Sequence, residues 1–315
     1  MTNKIAFLFP GQGSQFVGMG KGLYENYPSA KKVFDTADET LGKSITKLCF
    51  EGPEDELKQT INTQPSIVTM SIAALEAFKS KLNITPHFTA GHSLGEYCAM
   101  FCSGVMDLKT TFLAIQKRAS LMSEVKGGSM AAVLNAPEGS VEFALKEASK
   151  IGYIDIANYN SPVQVVLTGD DEAIKKAGEI LLEKGARRFV PLAVSGAFHS
   201  KYVEKAGEEF EKYVKTLDIN DATIPVITNV DAKETVAAED FRAKMPRQIH
   251  SSVHWTQTIK KMAENGVNTF VEIGPGKVLA GLNKKIAPEA KVYNIYDEQS
   301  LENTVAELKK ELATV

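Results

Sequence analysis

“TAGHSLGEYCAMFCSG” (residues 89–104) sets one serine, Ser93, between Gly91 and Gly95 and directly after His92. The pattern is G-x-S-x-G. A short apolar run, “HFTAG”, precedes it as a strand, and “EYCAMFCSG” follows as an apolar helix ended by Gly104. Strand, glycine-flanked turn and helix form the context that a nucleophile elbow needs. So sharp a turn has no room for side chains on its flanks, and it holds the serine hydroxyl out over the sheet edge. The helix then aims its N-terminus at that hydroxyl, where the Leu94 N–H can stabilise a developing oxyanion. The competing reading is a serine that only caps the helix.

Working outward, “KIAFLFP” reads as a buried strand stopped by Pro10, followed by the glycine-rich turn “GQGSQ” and helical spacing. “TQPSIVTMSIAALEAFKSKL” is a helix with Pro65 near its first turn. “LKTTFLAIQKRASLMSEV” spaces Leu108, Phe112, Ile115, Ala119 and Met122 as one apolar helix face. At “KGGSM” the texture changes to strand “SMAAVL”, helix “EFALKEASK”, strands “YIDIANY” and “VQVVLTG”, helix “DEAIKKAGEILLEKG” and strand “RRFVPLAV”. This βαββαβ order predicts an inserted, small ferredoxin-like α+β domain over residues 126–195. Residues 1–125 and 196–315 then form a discontinuous large domain. Its second part runs through a long helix after His199, strand “IPVITNV”, helix “WTQTIKKMAENG”, strand “TFVEIG” and a final helix after “GPG”. Strands alternating with helices predict the α/β class, with a largely parallel sheet covered on both faces. A cleft between the domains is the default substrate site.

The 315 residues are 43% hydrophobic and 24% charged, with net charge −3, which argues against a nucleic-acid footprint. Cys49, Cys98 and Cys102 read as reduced, buried thiols and not a disulfide frame. His250 and His254 have ligand-like spacing, but H-E-x-x-H and C-x-x-C are both absent, so no metal is expected. “MTNKIAFLFPGQGSQ” is too short in its apolar part for a secretion signal, and no run approaches a membrane span. A cytoplasmic protein without membrane or nucleic-acid partners is expected.

A serine needs a base, and His199 in “VSGAFHSKY” follows a strand and starts a helix, whose N-terminus would keep the imidazole neutral. A helix-start histidine without a catalytic part is the alternative. Arg118 borders the apolar face of its helix, beside Ile115 and Met122. It reads either as a snorkelling arginine or as a guanidinium gripping a carboxylate. “PGQGSQ” lacks the Gly-Lys-Ser/Thr ending of a P-loop, and “EIGPGKVL” has Val278 in place of its Ser/Thr. Neither fits a dinucleotide turn. A backbone N–H of “GQGSQ” can supply a second oxyanion donor.

“FPGQGSQ”, “GHSLGEY”, “QKRASLM”, “NYNSPVQVVLTG”, “SGAFHS” and “EIGPGKVL”, in this order over nearly the whole chain, closely resemble the malonyl-CoA:acyl-carrier-protein transacylases. The resemblance implies an α/β-hydrolase-like large domain with a ferredoxin-like insert. It implies malonyl transfer from malonyl-CoA to the phosphopantetheine thiol of acyl carrier protein, for fatty-acid synthesis, through an ester on Ser93. His199 would be base and acid, the N–H groups of Gln12 and Leu94 the oxyanion hole, and Arg118 the holder of the malonyl carboxylate. The carbonyl of Gln248 would orient His199, although Ser252 stands where a proline often precedes the valine. Gln64 and Asn160 match polar cleft positions, with turn roles as their alternative. Phe198 would crowd the α-methyl group of methylmalonyl. No cofactor is implied, and a monomer is expected. Lys117, Lys126, Arg187, Arg188, Lys284 and Lys285 are candidates for a basic rim facing an acidic carrier. The rivals are a free-standing malonyl acyltransferase of a polyketide synthase, a serine hydrolase (an esterase or thioesterase) using an aspartate such as Asp155 or Asp170, and a non-catalytic acyl-CoA binding or scaffold protein.

Overall fold

Strand β1 (Lys4–Phe9) is buried on both faces: Ile5, Phe7 and Phe9 point into one apolar cluster, Ala6 and Leu8 into another. A strand with two dry sides belongs inside a sheet covered by helices. The computed structural model describes residues 3–194 and 196–313, and places β1 near the middle of a six-stranded sheet. The other strands of that sheet are β2 (Phe88–Gly91), β7 (Val226–Ile227), β8 (Glu234–Thr235), β9 (Val267–Ile273) and β10 (Lys291–Ile295). The order is β10-β9-β1-β2-β7-β8, parallel except for the β7–β8 hairpin.

The helix Thr60–Lys81 packs on one face, with Phe78 edge-on to Phe7 at 5.7 Å between ring centroids. On the other face the helix Trp255–Glu264 buries Trp255, Ile259 and Met262. The molecule is therefore mixed α/β with a mainly parallel sheet, as the alternation of elements predicts.

A second sheet holds β3 (Ser129–Leu134), β4 (Ile154–Ser161), β5 (Gln164–Gly169) and β6 (Arg188–Pro191) in the order β4-β5-β3-β6, all antiparallel. Along β3 the side chains alternate: Ala131 and Val133 meet the helices Ser140–Ala148 and Asp171–Glu183, while Met130 and Ala132 join the main core. The expected domain limit at Ser195, and the outer limits Met1 and Val315, lie outside the described residues.

Several elements differ from the sequence reading. The helix holding Pro65 begins at Thr60, so the proline sits beyond the first turn. Its missing N–H leaves the Ile61 carbonyl without a helical donor, and Lys43 Nζ donates to it at 3.3 Å. Of “IPVITNV” only two residues pair as β7; the chain then turns so that Asn229 reaches the elbow. The long helix expected directly after His199 is a single 3₁₀ turn, Lys201–Val203, followed by the helix Glu204–Val214. The helix after “GPG” (Val278–Ile286) is not the last, because β10 and the helix Glu298–Ala313 follow. Leu301, Val305 and Leu308 on that last helix carry the spacing of a buried face. The helix Ala238–His250 was hidden by Pro246 within it.

Candidate active site

The elbow closes only because its flanks are glycines. A Cβ on Gly91 would stand 1.9 Å from the Gly95 carbonyl carbon, and one on Gly95 would stand 2.3 Å from the Phe9 carbonyl oxygen. Between them Ser93 takes φ +51°, a left-handed conformation that a non-glycine residue holds only when its surroundings enforce it. Its Oγ lies 2.8 Å from His199 Nε2 and 3.0 Å from Arg118 Nη2. The helix Glu96–Cys102 receives no side-chain cap, so the capping reading of Ser93 falls away.

His199 is buried and also left-handed, at φ +54°. Its Nδ1 is 3.0 Å from the carbonyl oxygens of both Gln248 and Ser251. Carbonyls only accept, so Nδ1 carries the proton and Nε2 faces Ser93 as a bare acceptor. Burial, then the Arg118 charge, then His92, push its pKa down to about 3, against the two backbone bonds. The helix dipole invoked from sequence is not the cause, since the helix starts only at Glu204. Ser252, where the family pattern often has proline, donates Oγ to the Ile156 carbonyl at 2.5 Å. The aspartates named for a hydrolase triad are engaged elsewhere. Asp155 accepts from the Ile156 N–H, and Asp170 from the Tyr153 N–H and the Tyr202 hydroxyl.

Arg118 is 1% exposed, which rules out snorkelling. Nη1 donates to Gln64 Oε1 at 2.7 Å and Nη2 to Gln248 Oε1 at 3.0 Å. Its Cζ stands 5.8 Å from the Tyr97 ring centroid. Among the described residues its Nε has no hydrogen-bond partner, and Glu96 acts on it only through longer-range attraction. Burial pulls the guanidinium's pKa down, yet arginine is not deprotonated in proteins and the group stays charged. Buried cations are normally matched by an anion. Here the facing groups are two neutral carboxamides and a hydroxyl.

These three side chains open into a cavity of about 420 Å³ that also meets Gln12, Gln64, Met122, Met130 and Phe198. A Cβ on Gly11 would stand 2.7 Å from the His92 carbonyl oxygen, so the “GQGSQ” turn rests against the elbow. Leu94, buried, follows Ser93 directly. Gln64 also donates Nε2 to Met122 Sδ at 3.5 Å. Asn160 accepts from His92 Nε2 at 2.8 Å and lines an adjoining groove of about 490 Å³, which Lys285 borders. Arg188 pairs with Leu134, at the far end of β3 from Met130, so it and Arg187 lie along the sheet away from the cavity. His254 stacks on Tyr159, ring centroids 5.2 Å apart, and among the described residues no three His, Cys, Asp or Glu side chains cluster as a metal site.

Sequence reasoning missed Asn229, Glu96 and Ser251. Glu96 is fully buried and accepts the Asn229 N–H at 2.6 Å, with its pKa raised to about 7 by burial. The one signal was a carboxylate one residue past the elbow, in an otherwise apolar helix.

The family model described as an acyl transferase domain matches residues 6–312. The chain is 44% identical over 313 residues, 98% of each protein, to the malonyl CoA-acyl carrier protein transacylase of Bacillus subtilis. It is 42% identical to the polyketide biosynthesis malonyl CoA-acyl carrier protein transacylase of the same organism, over 91% of this chain and 98% of that one. The crystal structure of the malonyl CoA-acyl carrier protein transacylase from Clostridium perfringens superposes with TM-score 0.94 at 37% identity, over 99% of both chains. The chain is an acyltransferase and belongs to the family of the malonyl CoA-acyl carrier protein transacylases.

Proposed function

We propose that the protein moves the malonyl group of malonyl-CoA to the phosphopantetheine thiol of acyl carrier protein, by a ping-pong reaction through an ester on Ser93, in fatty-acid synthesis. One observation carries the choice of acyl group. Arg118 is a buried cation whose Nε has no hydrogen-bond partner among the described residues, held 3.0 Å from the Ser93 hydroxyl. An acyl group that ends in a carboxylate supplies the missing anion while its other end sits on Ser93.

In the first half-reaction Ser93 Oγ attacks the thioester carbonyl and its proton passes to His199 Nε2. The N–H groups of Leu94 and Gln12 hold the oxyanion; the Ser93 N–H is unavailable because it donates to Asn229 Oδ1 at 2.7 Å. The C–S bond breaks and His199 returns the proton to the CoA sulfur. In the second half the carrier's thiol gives its proton to His199, its sulfur attacks the ester, and Ser93 Oγ leaves with that proton. The carbonyls of Gln248 and Ser251 keep His199 in the required tautomer. Gln64 and Gln248 fix the guanidinium plane. Phe198, 5% exposed at the cavity wall, excludes an α-methyl branch. The groove lined by Asn160 and Lys285 takes the pantetheine arm.

In the same reading the four-stranded sheet and its two helices are a ferredoxin-like insert, residues 126–195, in an α/β-hydrolase-like large domain, 1–125 with 196–315. The strand order β4-β5-β3-β6 supports this, as it is the antiparallel order of a split βαβ repeat. We take the protein to act as a cytoplasmic monomer; three free thiols fit a reducing compartment. The polyketide-related Bacillus subtilis protein favours a second reading of pathway alone: the same chemistry serving a polyketide carrier.

Labelled malonyl-CoA tests the reading. A stable label on Ser93, released to a carrier thiol and absent in Ser93→Ala, is expected. Rapid release of free malonate without transfer would make the protein a hydrolase.

A further inference from the structure

Asn229 is fully buried, and its side chain spans the elbow. Its Oδ1 accepts the Ser93 N–H at 2.7 Å, and its Nδ2 donates to the Gly91 carbonyl at 2.7 Å, so one planar amide joins the residues on either side of His92. Its own N–H is held by Glu96 Oε2 at 2.6 Å, and its carbonyl accepts the His254 N–H at 3.1 Å. Glu96 opens the helix that follows the elbow. The bonds therefore close a ring: elbow, Asn229, Glu96, helix, elbow. From the opposite side Gln248 Nε2 donates to the Ser93 carbonyl at 2.7 Å. Ser93 sits at φ +51°, where a serine without such ties relaxes to an ordinary backbone conformation.

We propose that Asn229 is the positioning residue of the nucleophile: its carboxamide, braced by Glu96, holds Ser93 in the left-handed conformation that aims Oγ at His199 Nε2. It also occupies the Ser93 N–H, leaving the Leu94 N–H as the elbow's oxyanion donor. Asn229 touches neither Arg118 nor His199 by any hydrogen bond, so its effect falls on the chemical step and not on substrate binding. The inference rests on the acyl-transfer reading above.

The test uses the full-length protein, labelled malonyl-CoA and rapid quenching, with thermal melting followed in parallel. Misaiming a reacting atom by an ångström lowers the rate on the order of 10²-fold. Asn229→Ala is expected to slow esterification of Ser93 by about that factor at saturating malonyl-CoA, with the half-saturating concentration unchanged. Asn229→Asp separates aiming from general stability. A protonated carboxyl offers one O–H for Gly91 and one oxygen for the Ser93 N–H; an ionised one offers no donor and adds charge beside Glu96. The other charged groups around Glu96 are Arg118, Lys244 and Asp231. The Asn229→Asp rate should be low in mild base and recover as the pH falls, while the wild-type rate changes far less, since Glu96, raised to about 7, still offers an acceptor oxygen to the Asn229 N–H when protonated.

Esterification of Asn229→Ala at the wild-type rate would overturn the proposal. So would a rate loss that follows the melting temperature with no acid recovery in Asn229→Asp. Failure of wild-type protein to label at all would instead remove the acyl-transfer reading.

Discussion

Around the cavity the six-stranded sheet and the four-stranded sheet contribute different things. Gln12 follows β1, Ser93 follows β2 and Asn229 follows β7, all at the same edge of the parallel sheet. Met130, Asn158 and Leu192 come from the antiparallel sheet or the segment just past it, and form wall. In a parallel sheet every strand delivers its following loop to one edge, so several loops converge on one point. Antiparallel neighbours send their loops to opposite edges, so such a sheet offers a surface more readily than a convergence. The difference assigns chemistry to the first sheet and selection of shape to the second.

That division can be broken from either side. The largest effect beyond Ser93 itself is expected from His199→Ala, which should lower the rate of Ser93 esterification by 10²–10⁴-fold, read by quenched-flow labelling. A fall of only a few-fold would mean that another group takes the proton. Phe198 lies outside the four-stranded sheet but rests on it, its carbonyl accepting from Thr168 Oγ1 of β5 at 3.0 Å, and Phe198→Ala should act on selection, raising methylmalonyl over malonyl transfer by roughly 10-fold, within the range a single carbon is worth. An equal loss for both substrates would make the ring structural. The smallest effect concerns acid. With the His199 pKa pushed down to about 3, the imidazole stays neutral through the window where an ordinary histidine would protonate, and the esterification rate should be flat down to about pH 5. Loss of rate with a midpoint near 6.5 that persists in Glu96→Gln would show an ordinary imidazole, because Glu96 itself is raised to about 7. Stability has the matching sign. Between about 3 and 6.5 the unfolded chain binds the proton that folded His199 refuses, so this site weakens the fold as pH falls through that window.

The elbow was legible in sequence because its constraint is steric. Only glycine fits at 91 and 95, and the approach distances of a Cβ there say why. The alternation of strands and helices gave the parallel sheet for a similar reason, since two buried faces require apolar runs. Arg118 was not legible in the same way: beside Ile115 and Met122, a snorkelling and a buried arginine share one spacing, and only tertiary packing separates them. The reason offered for a neutral His199 failed because it relied on a helix whose start lies five residues downstream, at Glu204. Asn229 was invisible because “IPVITNV” reads as a continuous strand, whereas the sheet keeps two of its residues and releases the asparagine to the elbow. Ser251 shares Nδ1 of His199 through its backbone, and a carbonyl leaves no mark in the sequence.

The account depends most on a buried positive charge, bordering the cavity and without a carboxylate in hydrogen-bond contact among the described residues, that binds the far carboxylate of its substrate. The direct measurement is the single-turnover rate of Ser93 esterification by malonyl-CoA and by acetyl-CoA, in wild type and in Arg118→Ala. The malonyl rate is expected to drop by about 10–10²-fold, as for a charged hydrogen-bonded pair of 1.5–3 kcal/mol, with the acetyl rate held or raised. Equal losses for the two substrates would contradict it and leave Arg118 as a strut of the fold.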